Sequence, residues 1–145
     1  MNTEILSNGE VKSVRYAEFW KRVVATVIDT LVFLPLIGYV GREPTIYENL
    51  SGTGVVLALF FTVLVWLYYA GMESSNSQAT IGKMLMGIKV TDLAGNRISF
   101  ARASGRFFGK ALSKLIIYIG FIMAAFTEKK QGLHDILAKT LVVNK

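Results

Sequence analysis

The sequence predicts an α-helical integral membrane protein with two transmembrane helices, a third bent or re-entrant apolar segment, and a small cytoplasmic β element. Three observations carry that prediction. Apolar residues make up 52% of the 145-residue chain, and its mean hydropathy is positive, high for a soluble domain of this size. Two apolar stretches each approach the ~20 residues of helix that cross a ~30 Å hydrocarbon core. The net charge of +6 comes from Lys and Arg that flank the apolar runs, a pattern that reads as contact with anionic headgroups on the cytoplasmic face rather than with nucleic acid. The absence of cysteine and the single histidine exclude a disulfide framework and a thiolate or structural zinc site. No metal, cofactor or enzymatic activity is expected.

Residues 1–15 read as a flexible, solvated tail without an early apolar signal segment, and residues 16–145 as one membrane domain. The first span runs from about Phe19 to Val40, with Phe19 and Trp20 at interface depth and Pro35 as a tolerated kink. A polar loop, Gly41 to Thr53, follows. The second span, Gly54 to Met72, is free of charge and ends in Trp66, Tyr68 and Tyr69, an aromatic belt. Met86, Ile88 and Val90 then alternate with Gly87, Lys89 and Thr91, and Ile98 and Phe100 resume the alternation after the turn residues Ala94-Gly95-Asn96. This predicts a hairpin within 86–100, which must lie in water because paired strands cannot sit exposed in lipid. Ser99 is a candidate N-cap for a helix that carries Arg102, Arg106, Lys110 and Lys114 at steps of four, one basic stripe. From Leu115 to Thr127 the chain is uncharged but short for a crossing. Gly132 to Lys139 reads as a short helix and Thr140 to Val143 as a strand, with 140–144 pairing with the hairpin.

Lys and Arg are dense in residues 1–22, 72–114 and 127–145, while the 41–53 loop holds Arg42 alone. The rule that cytoplasmic loops are basic then puts both termini and the 72–114 region in the cytoplasm of a multi-pass inner-membrane protein. Three full crossings would place the C-terminus outside, which is why the third segment is expected to bend or re-enter.

Three motifs, in order and on this hydropathy pattern, resemble the RDD family of bacterial and archaeal membrane proteins. They are Tyr16-Ala17-Glu18-Phe19-Trp20-Lys21-Arg22 leading into Ile28-Asp29; Ala79-Thr80-Ile81-Gly82-Lys83 with Gly87-Ile88-Lys89-Val90; and Gln131-Gly132-Leu133-His134-Asp135 with Ala138 and Thr140. The resemblance covers about residues 16–144. It implies that the naming arginine and two aspartates are Arg22, Asp29 and Asp135, and that cation/proton antiport, suggested for some members, is a role to test.

Asp29 is the most informative single residue. It stands near the centre of the nineteen-residue apolar run Val23–Gly41, where insertion scales charge a carboxylate roughly 2.5–3.5 kcal/mol, so it is expected to face protein or water. Arg22 lies two turns away, about 10 Å along the axis, too far for a direct pair, with Thr26 between them on the same face. Asp29 is therefore expected to find its partner on another helix. As an ion or proton carrier it would work with Arg22, Asp135, Thr26 and Glu73; as a structural group it would hold helices together. His134 and Asp135 are neighbours but point about 100° apart on a helix, without a nucleophile, so Asp135 is expected to bond Arg102, Arg106 or Arg22 rather than to act in catalysis. Glu73 reads as an interface anchor. Lys83 fails the phosphate-loop pattern, because Ser77 stands where its first glycine belongs. The stripe Arg102, Arg106, Lys110 and Lys114 is a candidate anionic-lipid surface. The function classes left open are transport of a monovalent cation or proton, as a homo-oligomer or with a membrane partner protein; a non-transporting scaffold or accessory subunit; and an anionic-lipid-binding protein.

Overall fold

The structure, a computed structural model, describes residues 2–5, 11–40, 52–115 and 126–145. The elements are β1 (Asn2–Ile5), β2 (Val11–Val14), α1 (Phe19–Val40), α2 (Gly52–Ser74), α3 (Ile81–Leu85), β3 (Ile88–Asp92), α4 (Phe100–Leu115), α5 (Leu133–Leu137) and β4 (Thr140–Asn144). Where a frayed tail was expected, β1 and β2 pair antiparallel. The 41–53 loop falls almost wholly outside the described residues, as does the expected bend of the third apolar segment, residues 116–125.

The long helices follow from runs in which every backbone N–H can bond only within its own segment. Among the described residues, Gly54–Ser74 is the one stretch long and apolar enough to cross a membrane by length and composition. Its side chains face outward: Val56, Leu59 and Phe60 are each more than 60% exposed. α1 is 22 residues long and contains Pro35. It packs on α2 through Phe33, whose ring meets Tyr68 edge-on at 5.0 Å and Phe61 at 6.5 Å.

A second layer, built from α3, β3, α4, α5 and β4, covers one end of these helices. β3 and β4 are antiparallel, with Ile88 opposite Asn144, Val90 opposite Val142 and Asp92 opposite Thr140. On the other edge of β4 the Ala17 amide donates to the Val142 carbonyl at 2.9 Å, and the Asn144 amide to the Arg15 carbonyl at 2.9 Å. The residues entering α1 and the last strand of the chain therefore lie in the same layer. Ala17, Ala25, Ala70, Ile88, Val90, Ile98, Ala103 and Val142 form its buried apolar core.

The predicted hairpin is half right. Residues 88–92 and 140–144 pair, but 97–100 form no strand. The Asp92 carboxylate accepts the Ala94 and Asn96 amides at 2.9 and 2.8 Å, and Gly95 takes φ +83° in the turn. The chain then runs to Ser99, whose hydroxyl accepts the Arg102 amide at 3.3 Å and caps α4. Two alternating residues, Ile98 and Phe100, are too short a signal to outweigh a cap followed by sixteen residues of helix.

Candidate functional site

Two buried clusters hold the acidic residues. The first is built on Asp29, 1% exposed in α1. Its Oδ1 accepts the Tyr68 hydroxyl at 2.9 Å and the Gly82 amide at 2.8 Å, and its Oδ2 accepts the Thr80 hydroxyl at 2.6 Å. Tyr68 also accepts the Ile81 amide at 3.1 Å. One carboxylate thus joins α1, α2 and the start of α3. Gly82 makes this approach sterically feasible: a Cβ there would lie 2.0 Å from the Ala25 carbonyl oxygen. The partner is on other elements, as expected. Tyr68 lies six residues from the end of α2 at Ser74, about 9 Å of rise, so Asp29 stands beside the last third of the apolar helix. Thr26 does not link Asp29 to Arg22. Its hydroxyl is exposed and bonds back to the Arg22 carbonyl at 2.8 Å.

The second cluster spans α1, α2, α3, α4 and α5. Asp135, fully buried, receives Arg22 Nη1 on Oδ2 at 2.5 Å and Arg106 Nη1 on Oδ1 at 2.5 Å. Oδ2 also accepts the Gly132 amide at 3.2 Å, which fixes the start of α5. Arg106, 1% exposed, donates Nε to Glu73 Oε2 at 2.9 Å and Nη1 to the Thr140 hydroxyl at 2.5 Å. Glu73, at the end of α2, takes Lys83 and Lys110 on its other oxygen, Oε1, the latter at 3.4 Å. Lys110 also lies 4.6 Å from the centre of the Tyr69 ring, a cation–π contact. Arg22 donates to the Ala17 carbonyl at 3.3 Å as well, holding the first turn of α1 against the sheet layer.

The field of this cluster is legible in the groups outside the apolar helices. Burial alone would raise the Asp135 carboxyl, but Arg106 and Arg22 hold it well below the usual carboxylate range. The His134 imidazole, with Nε2 3.4 Å from Asp135 Oδ1, is pushed down to about 3 by burial, reinforced by Arg106, Lys110 and Lys83. It is neutral at physiological pH. Burial lowers the Lys83 ammonium to about 8 against the pull of Glu73, so it is still mostly protonated near neutrality.

Four-residue spacing does place Arg102, Arg106 and Lys110 of the candidate lipid stripe along one side of α4: Arg106 is buried between two carboxylates, Lys110 reaches Glu73, and Arg102 is half-exposed at the layer edge 3.7 Å from Asp92. Spacing defines a shared face, not whether the face meets lipid or acid. The Lys114 side chain lies outside the described residues. Glu73, read as an anchor, is the hub of the network. Tyr68, Thr80, Lys83 and Thr140 were not singled out as site residues. The available signals were the end of a charge-free run at Glu73 and the two family motifs that hold Thr80, Lys83 and Thr140.

The family model "RDD family" matches residues 16–139. Three proteins of Bacillus subtilis (strain 168) are similar. The chain is 42% identical to YxaI over 107 residues, 74% of this chain and 70% of that one. It is 30% identical to YteJ, described as an uncharacterised membrane protein, over 141 residues, 90% and 82% of the two chains. It is 27% identical to YckC over 132 residues, 87% and 83% of the two chains. No solved structure matches. The matched span begins at the residues that enter α1 and takes in Arg22, Asp29, Glu73, Lys83, Arg106 and Asp135, the charged groups of both clusters, with Thr140 one residue beyond it, and the chain is a membrane protein of the RDD family.

Proposed function

We propose that this protein is a non-transporting membrane scaffold or accessory subunit whose Arg and Asp residues fix its fold, rather than a cation/proton antiporter or an enzyme. The observation that carries the reading is the bonding of Asp29: its two oxygens accept three uncharged donors, one of them a backbone amide. A carboxylate that binds a cation is joined by further oxygen ligands, and here both neighbouring hydroxyls donate to Asp29 itself. The remaining acids serve the same architecture. Arg22–Asp135 ties α1 to α5, and Arg106–Glu73 ties α4 to α2. Each bond joins an apolar helix to the covering layer.

In this reading α1 also crosses, through the apolar run that begins at Val23 and contains Asp29. The covering layer is cytoplasmic, following its basic charge, and both termini share it. Two long helices enclose little volume for a private pathway, so the protein acts beside a membrane partner or a second copy of itself.

Purified protein in proteoliposomes under an imposed Na⁺, K⁺ or pH gradient should show no exchange above empty liposomes. Saturable, cation-dependent proton movement that disappears in a folded Asp29→Asn variant would establish the transport reading instead.

A further inference from the structure

The second cluster carries more positive charge than its acids balance. Among the described residues four cations, Arg22, Lys83, Arg106 and Lys110, face two carboxylates, Glu73 and Asp135. Asp29 leaves an excess even if counted, and it accepts from uncharged donors. His134 adds no charge at neutral pH. The crowding is sharpest at Glu73 Oε1, where Lys83 and Lys110 converge on a single oxygen. Like charges pressed together away from water cost free energy that a single carboxylate does not offset.

The two ammonium groups differ in access. The Lys83 side chain is 9% exposed and closed in behind Glu73. The Lys110 side chain is 20% exposed and is the more accessible of the two. The place is the end of α2.

We infer that Lys110, backed by Lys83 across Glu73, binds a phosphate-bearing anion at the end of α2. The phosphate oxygens accept from Lys110 and neutralise the cluster's excess charge, while Lys83 raises the local potential from behind. The same chemistry is offered by the headgroup of an anionic lipid and by free phosphate. This site is independent of whether the protein transports ions.

The test uses the full-length protein and two probes. Binding of labelled inorganic phosphate is measured in phosphatidylcholine nanodiscs, and retention of phosphatidylglycerol is counted by native mass spectrometry from mixed micelles. Saturable phosphate binding identifies the free anion; retained phosphatidylglycerol without phosphate binding identifies the lipid headgroup. Either supports the inference if affinity falls at least tenfold in Lys110→Gln, recovers in Lys110→Arg, and is unchanged in Lys89→Gln, which removes the same charge from β3. A measurement on the unaltered protein covers the case in which Lys110→Gln does not fold: acylation of Lys110 by an amine-reactive ester should slow at least tenfold with the bound probe, with Lys89 unaffected. Absence of binding by both probes, equal losses in Lys110→Gln and Lys89→Gln, or unprotected Lys110 overturns it.

Discussion

Asp29 and Asp135 are both buried aspartates in one small protein, yet they are held by opposite means. Asp29 is held by hydroxyls and an amide with no cation in contact. Asp135 is gripped by two guanidinium groups. The first arrangement depends on close backbone approach, so it fails when shape changes. The second depends on charge, so it fails when a partner is removed or when pH moves. The comparison teaches that Arg22, Asp29 and Asp135 belong to two separate joints, with Arg22 serving only the second.

Substitutions sharpen this contrast. The largest effect belongs to Arg106→Met, which strips a cation from both Glu73 and Asp135 and should destabilise by about 3–5 kcal/mol, the usual cost of leaving a buried charge uncompensated. Fluorescence-detected thermal unfolding in detergent reads it as a large drop in Tm or loss of folded material. Next is Gly82→Ala. A methyl group 2.0 Å from the Ala25 carbonyl oxygen must push α3 off α1, and overpacking of this kind typically costs about 1–3 kcal/mol. The same change at Gly105, where a Cβ meets nothing within 4 Å, should be close to neutral. Asp29→Asn keeps the shape but turns one acceptor into a donor facing donors. Its expected cost, about 1–3 kcal/mol, should show as faster hydrogen exchange at Gly82. The smallest effect is Arg102→Gln: a half-exposed pair at 3.7 Å is worth at most about 1 kcal/mol.

Acid separates the joints in a different way. His134 is neutral in the fold, with its pKa near 3 against an ordinary 6.5, so the unfolded chain binds the extra proton between those values. Stability should be full above about pH 6.5 and decline as pH falls towards 3. Asp135 adds its own loss below its ordinary 3.8, because its folded pKa is lower still. His134→Gln should remove the decline between pH 6.5 and 4 and leave the steeper loss below it. A Tm-against-pH curve that is identical in both proteins would contradict the buried, neutral histidine.

Local patterns made much of this fold readable. A charge-free run gave α2, Asp92 to Asn96 the turn, Ser99 the start of α4, and alternation the strands 88–92 and 140–144. What stayed hidden was non-local. The pairing of 140–144 with the 86–100 segment is as expected, but nothing at Ile98 or Phe100 says that β3 pairs there without a second hairpin strand, because strand alternation encodes a face and not a neighbour. Likewise the position of Asp29 within its own helix could not reveal that α3 climbs to meet it, nor that the first turns of α1 belong to the covering layer. Lys83 failed the phosphate-loop pattern and was set aside for that reason. Its actual role, facing Glu73 ten residues earlier, required seeing the chain double back through Ser75–Thr80. The partners of Asp135 were the exception, since a buried acid on a basic segment has few alternatives to the nearby arginines.

The central claim is that the charged residues join the apolar helices to the covering layer, and a double-mutant cycle on Arg22 and Asp135 tests it most directly. Arg22→Met, Asp135→Asn and the pair are compared by reversible unfolding in one detergent. The account predicts a coupling energy of about 1–3 kcal/mol, with the double variant less destabilised than the sum of the single ones. Strict additivity, with each change acting as if the other residue were absent, would contradict it.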